Sequence, residues 1–499
     1  MREVMDLRDA RQNAIASHPF FGWLHADHVP LEERLTFAPM AAFFVMQFRD
    51  MNRWVLRFPE PRDEYEWIID AGTWEDEKHS HLFLEDWRKL ALDQKLGWKA
   101  SDMLWWLFLS EDQEVFRRSG MEFISLAVED ADDALVRFGH SEAGEATGHV
   151  MLDNTSKVAT ALSERTGLEY RYFGKYHLDL ESGHVANTEG VFEEQILDSR
   201  RRVSAMELCG RMFDLFERIF DGFMTYAHTY IDSGTVPRRS PSRRATEEWT
   251  APPLAIHPAD HRDVEMARLI EERKARVATH PFYGWLSKES GLSPLQKLQR
   301  FIPMWMMDVL GYRDLNKYAM SYTDPENAAQ QAINAWASRL STHSDLFLAD
   351  WDALGLDTVL GFSASETLEF IFLDTDMDLH REHMIEFAKL AHRHSDPAVR
   401  WWMMTALEST GEAFFAHTRP LARVVEETTN VRLDYLCGRH DAPQSGTSVG
   451  GVDDGVPPAS LNAVTLGVAQ GLVNHVFDAM DSQLWRSLAV ARANKFAVP

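Results

Sequence analysis

The sequence predicts an all-α protein built from two copies of one helical bundle. Apolar residues recur at three- and four-residue spacing from 31 to 58, 62 to 88, 101 to 137, 141 to 164, 169 to 197 and 199 to 231, the period of a helix with one buried face. Alternating strand patterns are absent. The chain also repeats itself. Ser17-His-Pro-Phe-Phe-Gly-Trp-Leu24 returns as Thr279-His-Pro-Phe-Tyr-Gly-Trp-Leu286, and Phe37-Ala-Pro-Met40 as Phe301-Ile-Pro-Met304. Arg49-Asp-Met-Asn52 returns as Arg313-Asp-Leu-Asn316, and Leu82-Phe-Leu-Glu-Asp-Trp87 as Leu346-Phe-Leu-Ala-Asp-Trp351. The offset between the matched segments stays nearly constant throughout, which marks two copies of one fold.

A chain of 499 residues is too long for one core, so the repeat also sets the domain plan. Residues 1–232 form the first copy and 261–499 the second. The stretch 233–260, rich in Pro, Arg and Ser, reads as a linker, and its Arg238-Arg239 and Arg243-Arg244 pairs as solvated charge. Within the first copy, turns or caps are expected at Pro30, Pro59-Glu-Pro61, Gly97 and Gly167. About seven helices per copy follow. In the second copy a Gly/Ser/Asp/Pro-rich stretch, Cys437 to Leu461, interrupts the last-but-one helix.

Composition narrows the function. Net charge is −26, which argues against a nucleic-acid partner, because binding a phosphate backbone needs a basic surface. No apolar run approaches the roughly 20 residues that a membrane-crossing helix needs, so no span is expected. The N-terminus, Met-Arg-Glu-Val-Met-Asp-Leu-Arg-Asp, is too charged for a secretory signal, and two cysteines cannot make a disulfide framework. A cytoplasmic location is the expectation. The 16 Trp and 29 Phe point to aromatic-rich cores. There is no Gly-rich phosphate-binding loop, so no built-in nicotinamide or flavin domain is expected.

The chemistry concentrates on three helices of the first copy. In Tyr176-His-Leu-Asp-Leu-Glu-Ser-Gly-His-Val185, His177, Glu181 and His184 stand at i, i+4 and i+7, on one helix face. Asp179 points the other way. Two imidazoles and a carboxylate suit a first-row transition metal. A second helix carries Trp74-Glu-Asp-Glu-Lys-His-Ser-His81, with Glu75 four and Asp76 three residues before His79, and Glu77 four before His81. A third carries Glu145 four residues before His149. The repeat sorts them, since His79 aligns with His343, Glu145 with Glu408, and His177 with His440.

These residues resemble the haem-oxygenase-like diiron oxidases and oxygenases across most of residues 15 to 230. The resemblance implies a seven-helix haem-oxygenase fold binding two Fe(II) per chain with O2 as co-substrate. It implies the ligands Asp76, His79, Glu145, His177, Glu181 and His184, with Glu75 as another choice for the first carboxylate and Glu145 as the bridge. It further implies a small amino-acid-like or fatty-acid-like substrate, with N-oxygenation, oxidative C–C cleavage or desaturation as outcomes. Electrons then come from the substrate, an external donor or a small reductant. Trp105, Trp106 and Phe108 are pocket-wall candidates but read more simply as core.

The second copy departs from the pattern. Arg339 and Leu340 stand where Glu75 and Asp76 do, Gln444 replaces Glu181, and a Ser/Thr/Gly loop lies where His184 belongs. A guanidinium beside a dication is unfavourable, so this copy is expected to be metal-free and structural, the internal partner of a pseudo-dimer. Further homodimerisation of the whole chain stays open. The rival readings are a haem oxygenase, a TenA-like enzyme using Cys209, and a non-catalytic binding protein or scaffold.

Overall fold

The structure, a computed structural model, describes all residues except 130–132, 181–190, 193, 241–248, 251–255, 289–290, 441–456, 458 and 497–499. It is all-α. Strand among the described residues is confined to a two-residue antiparallel ladder, Trp249–Thr250 with Arg439–His440. No helix among them is long and apolar enough to cross a membrane.

The chain divides into two compact units. The first holds Met1–Trp98, Trp106–Arg239 and Ser363–Leu373; the second holds Lys99–Trp105, Ser240–Phe362 and Asp374–Pro499. The main division thus falls inside the expected linker. The units differ from contiguous halves in two short segments, each grouped with the other copy's unit. Local periodicity reports that such a segment has an apolar face but not what covers it.

In the first unit the helices Ala134–Thr166 and Ser199–Tyr226 pack along each other, with Arg2–Ile15 against both. Ala38–Met51 and His79–Lys89 form a second packed pair. Asp side chains start three of the elements: Asp63 accepts from the Glu66 N–H, Asp133 from Leu135 and Asp198 from Arg201, each satisfying an orphan donor of the first turn. Gly167 ends the long helix at φ 73°, and Gly97 ends Leu92–Leu96 at φ 63°, a backbone region that favours glycine.

Several sequence boundaries move, and the expected 169–197 helix is helical only at 175–180 among the described residues. The expected break near 138–140 is absent, because Ala134–Thr166 runs through it as one helix of 33 residues. Gly139 serves close packing there: a Cβ would stand 2.6 Å from the Ala205 carbonyl oxygen of the neighbouring helix. The expected helix from 62 to 88 divides into Glu64–Asp76 and His79–Lys89. Its first part ends on Glu75, Asp76 and Glu77, three acids at a helix C-terminus, where the macrodipole disfavours them.

The motif repeats have structural counterparts. The edge-to-face pair Phe20–Phe37 at 5.1 Å corresponds to Phe282–Phe301 at 5.0 Å. At the end of Arg49-Asp-Met-Asn52 the helix widens into a π turn, Asn52–Leu56, and within Arg313-Asp-Leu-Asn316 another begins, Leu315–Met320. Such turns are rare and recur at functional sites. Asn52 Nδ2 donates to the Phe48 carbonyl at 3.1 Å, and Asn316 Nδ2 to the Tyr312 carbonyl at 2.8 Å. The second unit packs Pro397–Thr429 against Ala463–Ala493, with His261–Ala278 on both.

His140, on the long helix of the first unit, is buried against Phe123 at 4.5 Å. Burial, with the Arg137 guanidinium adding, pushes its imidazole down to about 3. A lowered folded-state pKa means that the stability is present above the ordinary value of 6.5 and is lost as pH falls from there toward 3. His140→Met installs the residue found at the aligned position, Met403. It should flatten the acid-side stability slope by about 1.4 kcal/mol per pH unit, read by urea unfolding at successive pH values. An unchanged slope would contradict the assignment.

Candidate metal centre

His79 and His177 come together in the first unit. Their Nε2 atoms stand 2.8 Å apart and their ring centroids 4.2 Å apart, although 98 residues separate them in the chain. Both are buried, at 8% and 4% exposure. Asp76, also buried, places Oδ1 3.8 Å from His79 Nε2.

Each imidazole is aimed by its surroundings. His79 opens the helix His79–Lys89 and lies parallel to Phe48, 4° between planes at 6.2 Å. Ser80, next in the chain, donates through Oγ to the Val45 and Met46 carbonyls at 3.3 Å, which ties this helix to Ala38–Met51. His177 lies in the helical stretch 175–180. Its Nδ1 is 2.8 Å from the Tyr172 carbonyl oxygen. A carbonyl only accepts, so Nδ1 carries a proton and donates it there, and Nε2 is the nitrogen that faces His79. A ring held in this way ligates a metal through Nε2.

The Tyr172 loop is itself held by a residue the functional reading of the sequence missed. Asp86, fully buried, accepts the N–H of Arg171 through Oδ1 at 2.9 Å and the N–H of Phe173 through Oδ2 at 3.0 Å. Burial pushes its carboxyl above the ordinary range, and these two N–H groups pull it back. The repeat keeps an Asp at this position but carries no sign of what it binds. Asp350, its equivalent, accepts from Asp434 N at 2.7 Å and Leu436 N at 2.8 Å in the second unit.

The remaining candidates sort by burial. Glu75, His81 and His149 are exposed, and Glu77 pairs with Arg57 at 2.6 Å, so Asp76 is the acid that faces inward beside His79. Asp76 reaches His79 across a turn at 77–78, not along one continuous helix as expected. Glu145 is half-buried on Ala134–Thr166. Asp179 is exposed and paired with Lys175, away from the set. Glu181 and His184 lie outside the described residues. Trp106 is plain core, donating from Nε1 to the Pro39 carbonyl at 2.7 Å. Both thiols are buried, and burial pushes Cys209 and Cys437 up to about 12.

The donor types are ones that a first-row transition ion accepts. Two imidazole nitrogens on one first-row ion, at about 2.0–2.1 Å each, stand roughly 3 Å apart, close to the 2.8 Å found. Nitrogen with carboxylate oxygen is a borderline-to-hard set. Among the described residues no three His, Cys, Asp or Glu side chains are grouped to hold an ion, so the pair needs further donors. A cleft of about 600 Å³ opens elsewhere in this unit, lined by Glu33, Lys95, Tyr226, Tyr230 and Asp232 among others, and none of the candidates lines it.

In the second unit Glu408 is half-buried, and burial pushes its carboxyl up to about 7 against the pull of Arg339. The His343 ring lies 6.4 Å from Tyr435, and His440 falls in the short ladder. No protein-family model matches the chain, and no curated protein is significantly similar to it.

The Asp86 anchor predicts a stability effect. In Asp86→Asn one carboxylate oxygen becomes an NH2 group facing a backbone N–H, leaving a buried donor unmatched. A loss of about 1–3 kcal/mol is expected in urea unfolding. A loss below about 0.5 kcal/mol would contradict the anchoring role.

Proposed function

We propose that the first unit is an O2-activating non-haem diiron oxidase or oxygenase acting on a small amino-acid-like or fatty-acid-like metabolite. The observation that carries this reading is the buried His79–His177 pair with its Nε2 atoms face to face. In a haem-oxygenase-like bundle the two metals would be held by Asp76, His79, Glu145, His177, Glu181 and His184. Bound Fe(II) would supply the electrons that reduce O2, with N-oxygenation, oxidative C–C cleavage or desaturation of the substrate as the result.

The chain's own residues do the rest. The Tyr172 carbonyl engages His177 through Nδ1, so Nε2 is the nitrogen turned toward His79 and the proposed metal. Asp76 contributes negative charge, which favours oxidised iron. Phe48 stacked on His79, and Tyr172 tilted at 5.0 Å from His177, shield the nitrogens from bulk water. The second unit, with Arg339 and Leu340 in place of Glu75 and Asp76, is the metal-free internal partner of a pseudo-dimer. A TenA-like reaction is disfavoured, because a buried thiol at about 12 is not a thiolate nucleophile near neutral pH. A pure binding protein has no reason to retain iron.

Elemental analysis after anaerobic Fe(II) loading of the full chain should give two irons per chain. His177→Ala should lose iron while helical content stays intact, since apolar packing builds the bundle. His343→Ala, in the second unit, should keep both irons; loss of iron there would refute the metal-free reading. Mixing the ferrous protein with O2 should give a transient visible absorption that Glu145→Ala removes. An undiminished transient in that variant would refute the bridging assignment.

A further inference from the structure

We infer that Ser363–Leu373, a piece of the second copy grouped with the first unit, positions His79 for metal binding; this rests on the metal reading of that unit. The helix of this segment, Ala364–Phe372, is seized at its N-terminal end by Asp93. That carboxylate accepts the Ser365 N–H at 2.9 Å, the Ser365 hydroxyl at 2.5 Å and the Trp87 indole N–H at 2.8 Å. From there the helix packs on Ala38–Met51 and on His79–Lys89. Glu369 pairs with Arg88 on the second of these. The Phe372 carbonyl accepts from Arg49 on the first at 3.3 Å, and the Phe372 ring meets Phe43 edge-on at 6.4 Å.

Those two helices decide where His79 stands. The imidazole begins one of them and lies parallel to Phe48 of the other, the residue just before Arg49. A helix transmits a shift along its length because its backbone is hydrogen-bonded throughout. Loosening the clamp at Asp93 therefore lets the helix carrying His79 move relative to the helix carrying Phe48, and the 2.8 Å meeting with His177 depends on both.

The second unit has the same device without the metal residues. Asp357 accepts the Ser101 N–H at 2.9 Å, the Ser101 hydroxyl at 2.6 Å and the Trp351 indole N–H at 2.9 Å. Lys99–Trp105 is grouped with that unit. Asp93 and Asp357, Ser101 and Ser365, and Trp87 and Trp351 occupy equivalent positions of the repeat. The two clamps share one chemistry, and only one of them belongs to the unit that holds the candidate centre. The second is the control for the first.

The test compares Asp93→Ala and the milder Ser365→Ala with Asp357→Ala and Ser101→Ala, all in the full chain. Thermal unfolding measures the structural cost. Fe(II) affinity is measured anaerobically against a ferrous chelator. In the metal-free protein, the coupling between the Nε2 atoms of His79 and His177 across their shared proton is read by NMR with ¹⁵N-labelled histidine. Similar drops in melting temperature are expected within each matched pair. Fe(II) affinity should fall about tenfold, and the Nε2 coupling weaken, in the Asp93 and Ser365 variants alone. Equal changes across the matched pairs, or first-unit variants that lose only melting temperature, would overturn the inference. Wild-type protein that takes up no Fe(II) would defeat the proposed function, and the Nε2 coupling alone would then decide the positioning role.

Discussion

A fully buried carboxylate, hydrogen-bonded to backbone N–H groups and with the Lys89 ammonium 3.6 Å away, is the constraint on which the first unit's centre depends. Asp86 lies at 0% exposure, and a carboxylate at that depth is tolerated only if its oxygens are hydrogen-bonded. Arg171 and Phe173 supply the donors, which fixes the loop between them. Tyr172 sits in that loop, its carbonyl takes the His177 Nδ1–H, and the His177 Nε2 meets His79. The chain of consequence runs from one acid on the buried face of a helix to a pair of aimed nitrogens.

The same acid in the second unit, Asp350, orders the equivalent loop. What diverged is the interior around it. In the repeat, Asp308 takes the place of Phe44, His380 that of Phe116, and Gln483 that of Ile219. Asp308 accepts from His380 Nδ1, and from Gln483 Nε2 at 2.6 Å. A hydrogen-bonded polar triad thus fills space that phenylalanine and isoleucine fill in the first unit. The scaffold was kept in both copies while the interior chemistry separated, as expected when loop anchors and apolar faces set the fold and a few inward residues set the function.

The helical class was legible because periodicity reports a helix face directly, and the left-handed caps Gly97 and Gly167 were legible because few other residues take that backbone. The exchanged grouping of Lys99–Trp105 and Ser363–Leu373 was not. Ala100–Phe108 and Ala364–Phe372 each read as one more amphipathic helix, and no local pattern names the surface a helix will cover. His79, His177 and Asp76 were legible through spacing and the internal repeat. The turn at 77–78 that delivers Asp76 to His79 was not, because it depends on tertiary packing. Asp86 was hidden for a third reason. Its partners are main-chain groups 85 and 87 residues away, and main-chain groups leave no mark in a sequence.

The most direct test of the central claim is iron anomalous scattering from crystals of the full chain grown or soaked anaerobically with Fe(II). A strong peak is expected in the first unit within about 2.0–2.3 Å of Nε2 of both His79 and His177, or of one each from two adjacent ions. Iron bound elsewhere, with the two Nε2 atoms still 2.8 Å apart and sharing a proton, would contradict it.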